Sequence, residues 1–498
     1  MRDVILSIDQ GTTGSTALFL DATANCKVQV LATHNVEFPN HYPQPGLVEH
    51  DVADIWTSIE QAILLAQEKL QTAIGDFKIV GIGITNQRET SLFWDKNTGE
   101  PIHRALVWQD RRTTDRCQEL KKAGYETSVK QKTGLVLDPY FSGTKAEWLL
   151  KNVPLAHQKA KNGEILFGTI DTWLTWKLCG AHVTDPSNAS RTLLFNIHTM
   201  DWDDELLEML SVPRSCLPNI VDNSQVIGLT KDVGFLSDGI PIAGLAGDQQ
   251  SALFGQACFQ AGSAKCTYGT GAFVLMNTGN KPIPSKNALL TTVGWRIDGV
   301  TTYALEGSAF IAGAAVQWLR DGLKIISTAS EVEALAQEVE DNGGTYFVPA
   351  FAGLGAPHWE PTARGVFWGI TGGTTKAHLA RAVLEGVAMQ IVDILDSMAS
   401  DADQPLTELR VDGGMSKNNF MMQLQSNLLD VACTRPTVLE TTALGAGFLA
   451  GLAVGVWESP QAISDAWQVD QQFSPKLNPS DIKNYKRVWA LAVQKSLP

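Results

Sequence analysis

The sequence predicts a mixed α/β protein in which two similar domains face each other. Runs of aliphatic residues typical of strands alternate with amphipathic helical segments along most of the 498 residues. Two strand–turn–strand segments, 4–21 and 264–277, lie roughly half a chain apart and share a polar turn containing Gly and Thr. The length points the same way, because a domain averages ~150 residues and this chain is too long for one ordinary core.

Charge and composition restrict the classes of function. Lys and Arg number 39 against 53 Asp and Glu, a formal net charge of -14, which argues against general binding to nucleic acid or to an anionic membrane. No stretch reaches the ~18 apolar residues of a membrane helix, and the first apolar run is far too short for a signal peptide. The seven cysteines form no CxxC pair, which favours free thiols in the cytoplasm over a zinc site.

The first hairpin is a candidate phosphate loop. An apolar run ends in Asp9, turns through Gly11–Gly14 and resumes as a second apolar run. Glycines allow a bulky anion to approach the backbone, and the turn N–H groups can donate to phosphate oxygens together with the hydroxyls of Thr12, Thr13 and Ser15. Asp9 would face the same place and could hold a metal ion through water. The alternative is an ordinary hairpin with a solvated aspartate.

The elements that follow this hairpin can be read in order. Three strands are expected near the start, at 4–9, 16–21 and 27–33. A helix follows, since apolar residues recur near helical spacing at Ile55, Ile59, Ile63 and Leu70, and either Asp51 or Asp54 can cap its first turn. A buried strand is then predicted at 79–85, and the segment 79–95 has the pattern of a hairpin.

Arg88 and Glu89 would stand at the elbow of that hairpin. An adjacent acid and base at the end of a strand is more often an exposed salt bridge worth ~0–1 kcal/mol. The alternative is that both bind vicinal hydroxyls, because Arg88 donates to oxygens and Glu89 accepts from O–H groups. Trp108 and Tyr140, each in a loop before an amphipathic helix, would wall such a polyol pocket, unless they are plain core residues.

Residues 212–247 are punctuated by Gly, Pro and Asp, and we place the domain boundary there, giving domains 1–246 and 247–498. Asp248 comes directly after a strand-like run and before a helix. It has three possible roles: a helix cap, a general base that takes a proton from a hydroxyl attacking phosphorus, or a nucleophile that forms an aspartyl phosphate. The sequence leaves all three open.

The second half repeats the polar hairpin and adds two Gly-containing turns. Its predicted helices span 308–323, 418–430 and 444–455, with Ser416 as the cap of the middle one. Gly413 and Gly414 follow a strand at 409–412 and would let the chain approach a base or ribose, while Asn418 offers an amide. The alternative is an ordinary strand-to-helix turn. Neither a Walker motif nor GxGxxG is present, so this is neither a P-loop protein nor a Rossmann dehydrogenase.

Taken together, these segments resemble the FGGY family of carbohydrate kinases almost from end to end. The strings that carry the resemblance include DQGTT, GITNQRET, VWQDRR, GLAGDQQSALFGQ, TYGTGAFVLMNTG and RVDGGMSKNNF. The NQRET and VWQ strings are similar to the branch of the family that acts on glycerol. The resemblance implies two actin-like, ribonuclease-H-like domains around a central cleft, and phosphorylation of glycerol to sn-glycerol 3-phosphate by ATP with Mg²⁺.

The resemblance also implies roles for individual residues. Asp248 would be the base and Asp9 the acid associated with magnesium, through water. The glycerol pocket would be lined by Arg88, Glu89, Trp108, Tyr140, Asp248, Gln249 and Phe273. The nucleotide would contact Thr12, Thr13, Ser15, Thr270, Gly313, Gln317, Gly414 and Asn418. A homodimer or homotetramer in the cytoplasm is expected.

One position departs from the family pattern. Thr16 stands where relatives carry Arg or Lys in the first phosphate loop, so a cation that reaches phosphate is missing and either another cation replaces it or turnover is weak. The basic, Gly-rich loop that binds fructose bisphosphate in some bacterial members is also absent, so we expect no such inhibition. Two rival functions remain: a kinase of another polyol or ketose, and a non-catalytic actin-like ATPase.

Overall fold

The computed structural model describes residues 1–23 and 27–498. Each half of the chain contributes one large sheet. The elements of the first half are β1 (Arg2–Gln10), β2 (Gly14–Asp21), β3 (Val30–Glu37), β4 (Glu49–His50), α1 (Val52–Ile74), β5 (Phe77–Asn86), β6 (Ser91–Asp95), β7 (Ala105–Leu106), α2 (Thr114–Lys122), α3 (Glu126–Thr133), α4 (Ser142–Asn152), α5 (Ala156–Lys161), β8 (Ile165–Thr169), α6 (Ile170–Cys179), β9 (Val183–Thr184), α7 (Pro186–Ala189), β10 (Phe195–Asn196), β11 (Asp201–Trp202), α8 (Asp204–Met209), β12 (Asn219–Ile220), β13 (Ser224–Leu229) and β14 (Pro241–Gly247).

The first sheet has the strand order β13-β14-β5-β1-β2-β3. β1 and β2 form the predicted antiparallel hairpin, while β5 pairs parallel with both β1 and β14. The register places the last residues of the three parallel strands, Gln10, Asn86 and Gly247, in one row. The segments that follow these residues therefore leave the sheet at the same edge, which is where ligands bind in sheets of this kind.

The predicted hairpin over 79–95 is wrong. β6 does not pair with β5 but with β7 and β8, in a separate four-stranded sheet of order β4-β7-β6-β8. The chain leaves the first sheet after Asn86 and turns at Glu89, whose φ of 61° lies in the left-handed region. Alternating apolar residues predict that a strand forms, but its partner is decided by contacts with distant segments.

The second half contains the other large sheet and most of the long helices. Its elements are α9 (Asp248–Gly255), β15 (Ser263–Tyr268), β16 (Ala272–Gly279), β17 (Leu290–Ile297), β18 (Val300–Ala309), α10 (Gly313–Asp321), α11 (Glu331–Ala336), β19 (Tyr346–Val348), β20 (Val366–Trp368), α12 (Lys376–Ala402), β21 (Glu408–Asp412), α13 (Asn419–Leu429), β22 (Cys433–Pro436), α14 (Thr441–Ala453), α15 (Pro460–Ala466), β23 (Val469–Phe473) and α16 (Pro479–Ser496).

The second sheet has the order β17-β18-β16-β15-β21-β22-β23. β15 and β16 form the second predicted hairpin, and β15 pairs parallel with β21, with Thr267 opposite Asp412. The hairpin turn after Tyr268 and the glycine pair after Asp412 therefore lie at one edge of this sheet. The two polar hairpins thus occupy corresponding places in the two sheets, as the prediction of two similar domains expects.

Two predicted element starts and one predicted helix cap need correction in particular. The helix expected at 308–323 begins only at Gly313, because Ser308 and Ala309 pair with β16 as the end of β18. The strand expected at 27–33 begins at Val30. The cap of α13 is Asn418, whose side chain accepts the Met421 N–H, whereas the Ser416 hydroxyl donates to the Gly413 carbonyl. For α1 the cap is Asp51, one of the two predicted residues.

Helix α14 contains the predicted stretch of small residues and packs closely on α9. A Cβ atom at Gly445 would lie 1.8 Å from the Ser251 carbonyl oxygen, and one at Gly255 would lie 2.0 Å from the Thr441 carbonyl oxygen. α14 also packs against β1, β5, β13 and β14 of the first sheet. A helix from the second half therefore covers the first sheet and joins the two halves.

The described cysteines are free thiols, and Cys26 lies outside the described residues. None of the helices in the described ranges combines the length and apolar character that a membrane crossing requires.

Candidate active site

A small cavity of about 140 Å³ lies where the carboxyl edge of the first sheet meets the second hairpin. Its lining residues come from six separate segments of the chain, and they are Thr12, Arg88, Glu89, Trp108, Tyr140, Asp248, Gln249 and Phe273. The seven residues that the resemblance implied for the polyol pocket are all among them. A cavity of this volume suits a molecule of a few heavy atoms, since drug-sized ligands occupy roughly 300–1,000 Å³.

Arg88 and Glu89 are not an exposed salt bridge. Their side chains are 2% and 1% exposed, and the closest approach between them is 3.9 Å. Arg88 instead places its Nε 3.1 Å from Asp248 Oδ1 and its two terminal nitrogens against Glu306. Glu89 accepts a 2.7 Å hydrogen bond from Arg191 Nε. Both cavity residues are therefore fixed by charged partners that lie behind them.

Asp248 is the first residue of α9 and does not cap it. The cap position is Gly247, and among the described residues the one backbone N–H that donates to the Asp248 carboxylate is that of Gln249, at 2.6 Å. The side chain remains 31% exposed towards the cavity. Burial raises the pKa of Asp248, while Arg88 and Lys265 oppose that rise. A carboxylate with a raised pKa, exposed only to a small cavity, has the properties of a general base.

Two aromatic rings form one wall of the cavity. Trp108 and Tyr140 meet edge to face with 5.6 Å between ring centroids. The indole Nε1 of Trp108 donates a 2.9 Å hydrogen bond to Thr12 Oγ1. The phosphate-loop residue Thr12 is thereby held against the aromatic wall, so that the first hairpin and the cavity form one continuous site.

Asp9 contributes a second carboxylate near Asp248. Burial, and after it the negative charge of the neighbouring Asp248, raise the pKa of Asp9 to about 7. No hydrogen bond or ion pair within the described ranges engages the Asp9 carboxylate. Nor do the described residues contain any group of three or more His, Cys, Asp or Glu side chains placed to hold a metal ion. A cation here would depend on Asp9, water and a bound phosphate for its oxygen ligands.

A larger cavity of about 420 Å³ lies at the edge of the second sheet. The implied nucleotide contacts of the second half all line it, and these are Thr270, Gly313, Gln317, Gly414 and Asn418. A Cβ atom at Gly313 would lie 2.6 Å from the Gly269 carbonyl oxygen, whereas Gly414 has open space beside it. Since Asn418 Oδ1 accepts the Met421 N–H at 2.8 Å, its Nδ2 group is the part that can donate to a ligand.

The second hairpin touches both cavities. Thr270 in its turn lines the larger one, and Phe273, three residues on, lines the smaller one. A ligand that filled both cavities would therefore pass over the turn at 269–271. This is the arrangement needed to bring a nucleotide phosphate to a small alcohol.

One residue implied as a phosphate contact, Ser15, faces away from the cleft. The Ser15 side chain is buried, and its hydroxyl is 2.7 Å from the Ser58 hydroxyl of α1, so it faces the interior and not the cleft. Thr13 is exposed in the turn and lines neither cavity. Alternation explains Ser15, because the hairpin register that turns Thr16 towards the cleft turns its neighbour inward.

Three buried charged residues of the site received no role from the sequence. Arg191 and Glu306 hold Arg88 and Glu89, and Lys265 donates to Gln249 Oε1 and, at 3.0 Å, to Thr267 Oγ1. Burial lowers the pKa of Lys265. A signal was present, since Lys265 and Glu306 are single charges within otherwise apolar or small strands, but it does not indicate their partners.

Comparison with known proteins agrees with this geometry. Residues 4–255 match the N-terminal domain, and residues 264–454 the C-terminal domain, of the FGGY family of carbohydrate kinases. Glycerol kinase 2 of Thermotoga maritima is 55% identical over 99% of this chain and 98% of that protein. Glycerol kinase of Bacillus anthracis is 53% identical over 99% of both.

A solved structure extends the comparison to the fold. The crystal structure of Plasmodium falciparum glycerol kinase with ADP superposes with a TM-score of 0.95 at 38% identity, over 100% of this chain and 99% of that one. The expected two-domain, actin-like fold is therefore confirmed. The two matched domains, the full-length similarity and the shared fold together establish that the chain belongs to the FGGY family of carbohydrate kinases.

Proposed function

We propose that this protein transfers the γ-phosphoryl group of ATP to glycerol, forming sn-glycerol 3-phosphate as the entry step of glycerol catabolism. The observation that carries the proposal is the small cavity, in which a donor, two acceptors and an aromatic wall surround space for one small polyol. Full-length similarity to glycerol kinases of two bacteria supports the same substrate.

Glycerol binds in the small cavity through complementary groups. Arg88 donates to a hydroxyl oxygen, Glu89 accepts an O–H, and Trp108 packs against the carbon chain. The terminal hydroxyl lies at Asp248, which accepts its proton as the oxygen attacks the γ-phosphorus. The proton goes to a carboxylate oxygen of Asp248, and the ADP oxygen leaves on the opposite side of the phosphorus.

ATP occupies the larger cavity, with its phosphates extending over the second hairpin towards Asp248. Thr270 and Thr12 donate to phosphate oxygens from opposite sides, and Gln317 and Asn418 bind the nucleoside part. Closure of the two domains excludes water, so that the attacking group is glycerol.

The residues near Asp9 fit a Mg²⁺ ion. The Asp9 carboxylate is unpaired within the described ranges. A cation would stabilise its ionised form, which burial now disfavours. Carboxylate, water and phosphate oxygens are the ligands that Mg²⁺ prefers. When bound, the ion would offset negative charge on the phosphates during transfer.

Two rivals are separated by the choice of alcohol. ADP release by the wild-type protein is measured with glycerol, dihydroxyacetone, erythritol and xylulose, and glycerol should give the highest kcat/KM. A higher value with another compound would favour a kinase of that polyol or ketose. ATP consumption that does not depend on any of the four compounds would favour the non-catalytic actin-like ATPase. The specific argument for that rival is Thr16, which stands where a cation that reaches phosphate is expected.

The role of Asp248 is tested by Asp248→Asn. General-base catalysis contributes typically 10²–10⁴-fold, so kcat should fall by about 10³-fold while the protein stays folded. Asp54→Asn is the matched control, because Asp54 also lies in the first turn of a helix but is 40% exposed and lines neither cavity. If Asp248→Asn kept most of the turnover, Asp248 would not be the base.

Location and assembly complete the proposal. The free thiols of the described cysteines support a reducing compartment, and we place the protein in the cytoplasm. A homodimer or homotetramer is proposed from the family resemblance, and sedimentation equilibrium tests it. The division into domains 1–246 and 247–498 is supported by the end of β14 at Gly247.

A further inference from the structure

Four charged side chains form a buried cluster directly behind the small cavity. They are Arg88, Glu89, Arg191 and Glu306, and none is more than 3% exposed. Glu306 Oε1 accepts from Arg88 Nη2 and from Arg191 Nη2, both at 3.0 Å, and Glu306 Oε2 lies 2.5 Å from Arg88 Nη1. Of these four residues, Arg88 and Glu89 line the cavity, whereas Arg191 and Glu306 do not.

The cluster links the two sheets. Arg88 and Glu89 follow β5 of the first sheet, and Arg191 follows α7. Glu306 lies on β18, which belongs to the second sheet, 218 residues from Arg88 along the chain. It is the group through which the second sheet holds the polyol-binding arginine.

The geometry of Arg88 shows what Glu306 does for it. Glu306 takes one N–H from each terminal nitrogen in a two-pronged contact, which fixes the plane of the guanidinium. In this orientation Nε faces Asp248 at 3.1 Å, and a second N–H of Nη2 points towards the Tyr140 hydroxyl at 3.5 Å. The Tyr140 contact is the longest of these, so its N–H is the donor most available to a ligand.

Glu306 remains ionised in this environment. Burial alone would raise the pKa of Glu306, but the positive charges of Arg191 and Arg88 lower it to about 2. A charge buried to this extent is tolerated only when its partners are in place, and removal of one partner leaves the others uncompensated. A substitution of Glu306 should therefore first change the position of the Arg88 side chain.

We propose that Glu306 is a positioning residue for the polyol site, which holds Arg88 from the opposite sheet so that the site is complete only when the two sheets keep this arrangement. The inference rests on the proposed function, because that function gives Arg88 its role in binding glycerol. It extends that function to a residue that lines neither cavity.

Glu306→Gln tests the proposal, and Glu385→Gln is the matched control. Glu385 is also 3% exposed, pairs with Arg381 at 3.0 Å and accepts from Asn342 at 2.7 Å, but it lies on α12 and lines neither cavity. In Glu306→Gln the KM for glycerol should rise at least about ten-fold, while the KM for ATP changes less than about two-fold. Glu385→Gln should lose thermal stability to a similar extent and keep both KM values.

A shorter carboxylate provides a second variant if Glu306→Gln fails to fold. Glu306→Asp keeps the charge but can reach only one terminal nitrogen of Arg88, so its KM for glycerol should fall between those of the wild type and Glu306→Gln. If whichever variant folds keeps the wild-type KM for glycerol, the proposal is overturned. It is also overturned if both substrates lose affinity equally or if Glu385→Gln shows the same selective loss.

The wild-type panel keeps this result separate from the proposed function. If the wild type prefers another polyol, the KM comparison is made with that polyol, and a selective rise in Glu306→Gln still supports the positioning role. A wild type without any polyol-dependent ATP consumption would end both proposals. If the wild type phosphorylates glycerol and the Glu306 variants keep its KM for glycerol, only the proposed positioning role of Glu306 would be overturned.

Discussion

Thr16 and Asp9 stand directly opposite each other on the hairpin β1–β2. Residues opposite each other in an antiparallel pair project to the same face, so a longer side chain at position 16 would reach towards the Asp9 carboxylate. At present Thr16 Oγ1 accepts a 2.9 Å hydrogen bond from Asn35 Nδ2. Lys265 is a buried basic residue near Asp248, and its Nζ donates to Gln249 and Thr267.

Thr16→Arg should therefore improve the site. A guanidinium at position 16 would reach a phosphate oxygen of ATP. Because a hydrogen bond from a charged donor is stronger than one from a neutral donor, kcat/KM for ATP should rise by about ten-fold. Steady-state kinetics at saturating glycerol measure this. Thr16→Met supplies similar bulk without charge and should show no gain. An equal kcat/KM in Thr16→Arg and the wild type would mean that another group already supplies the cation.

The folding stability of Thr16→Arg should also depend on pH differently from that of the wild type. The folded pKa of Asp9, about 7, is above its ordinary value of 3.8, so Asp9 favours the folded state at low pH and loses that contribution as the pH rises through 7. An arginine opposite Asp9 would lower the folded pKa and recover part of the loss, by about 1 kcal/mol at pH 8. Thermal unfolding without nucleotide should show a stabilisation of Thr16→Arg at pH 8 that disappears below pH 4.

At the scale of elements, α9 and α14 pack with their backbones in close approach. Backbone carbonyls of one helix meet glycines of the other at Gly255 and Gly445. α9 begins with Asp248, so the position of the carboxylate that we propose as the base depends on this packing. Small residues along α14 allow the approach, since any Cβ at these positions would displace a backbone atom.

Gly445→Ala should destabilise the protein by about 3 kcal/mol, because its Cβ would lie 1.8 Å from the Ser251 carbonyl oxygen and backbone must shift. Gly372→Ala is the control, since nothing lies within 4 Å of its Cβ and its backbone conformation suits alanine. Denaturant unfolding of both variants measures the difference. A Gly445→Ala protein as stable as Gly372→Ala would show that the two helices are free to separate.

At the scale of the whole molecule, neither half is complete alone. α14 belongs to the second half, yet it covers strands β1, β5, β13 and β14 of the first sheet. The buried charge cluster likewise takes Arg88 and Arg191 from one half and Glu306 from the other. Removing either half would expose apolar strand faces and leave charges unpaired.

Segments 1–246 and 247–498 should accordingly fail to fold when expressed separately. Each should bind a hydrophobic dye and show no cooperative thermal transition, while co-expression should restore a folded protein with glycerol-dependent ATP consumption. Circular dichroism in the near ultraviolet monitors the native packing. A cooperative transition in the isolated 1–246 segment would contradict the interdependence inferred from α14.

The sequence by itself determined the class of the protein and most of its chemistry. Both polar hairpins and the small-residue helix follow from local patterns of Gly, Thr and apolar residues, and the residues proposed to bind the polyol follow from the family resemblance. Local patterns depend on neighbours a few residues apart, and these are visible in the chain.

Tertiary structure alone decided which groups meet. It paired β6 with β8 instead of β5, and it joined Arg88 to Glu306 across 218 residues. The physical reason is that strand partners and buried charge pairs are selected by packing and desolvation between distant segments. No local pattern records those contacts.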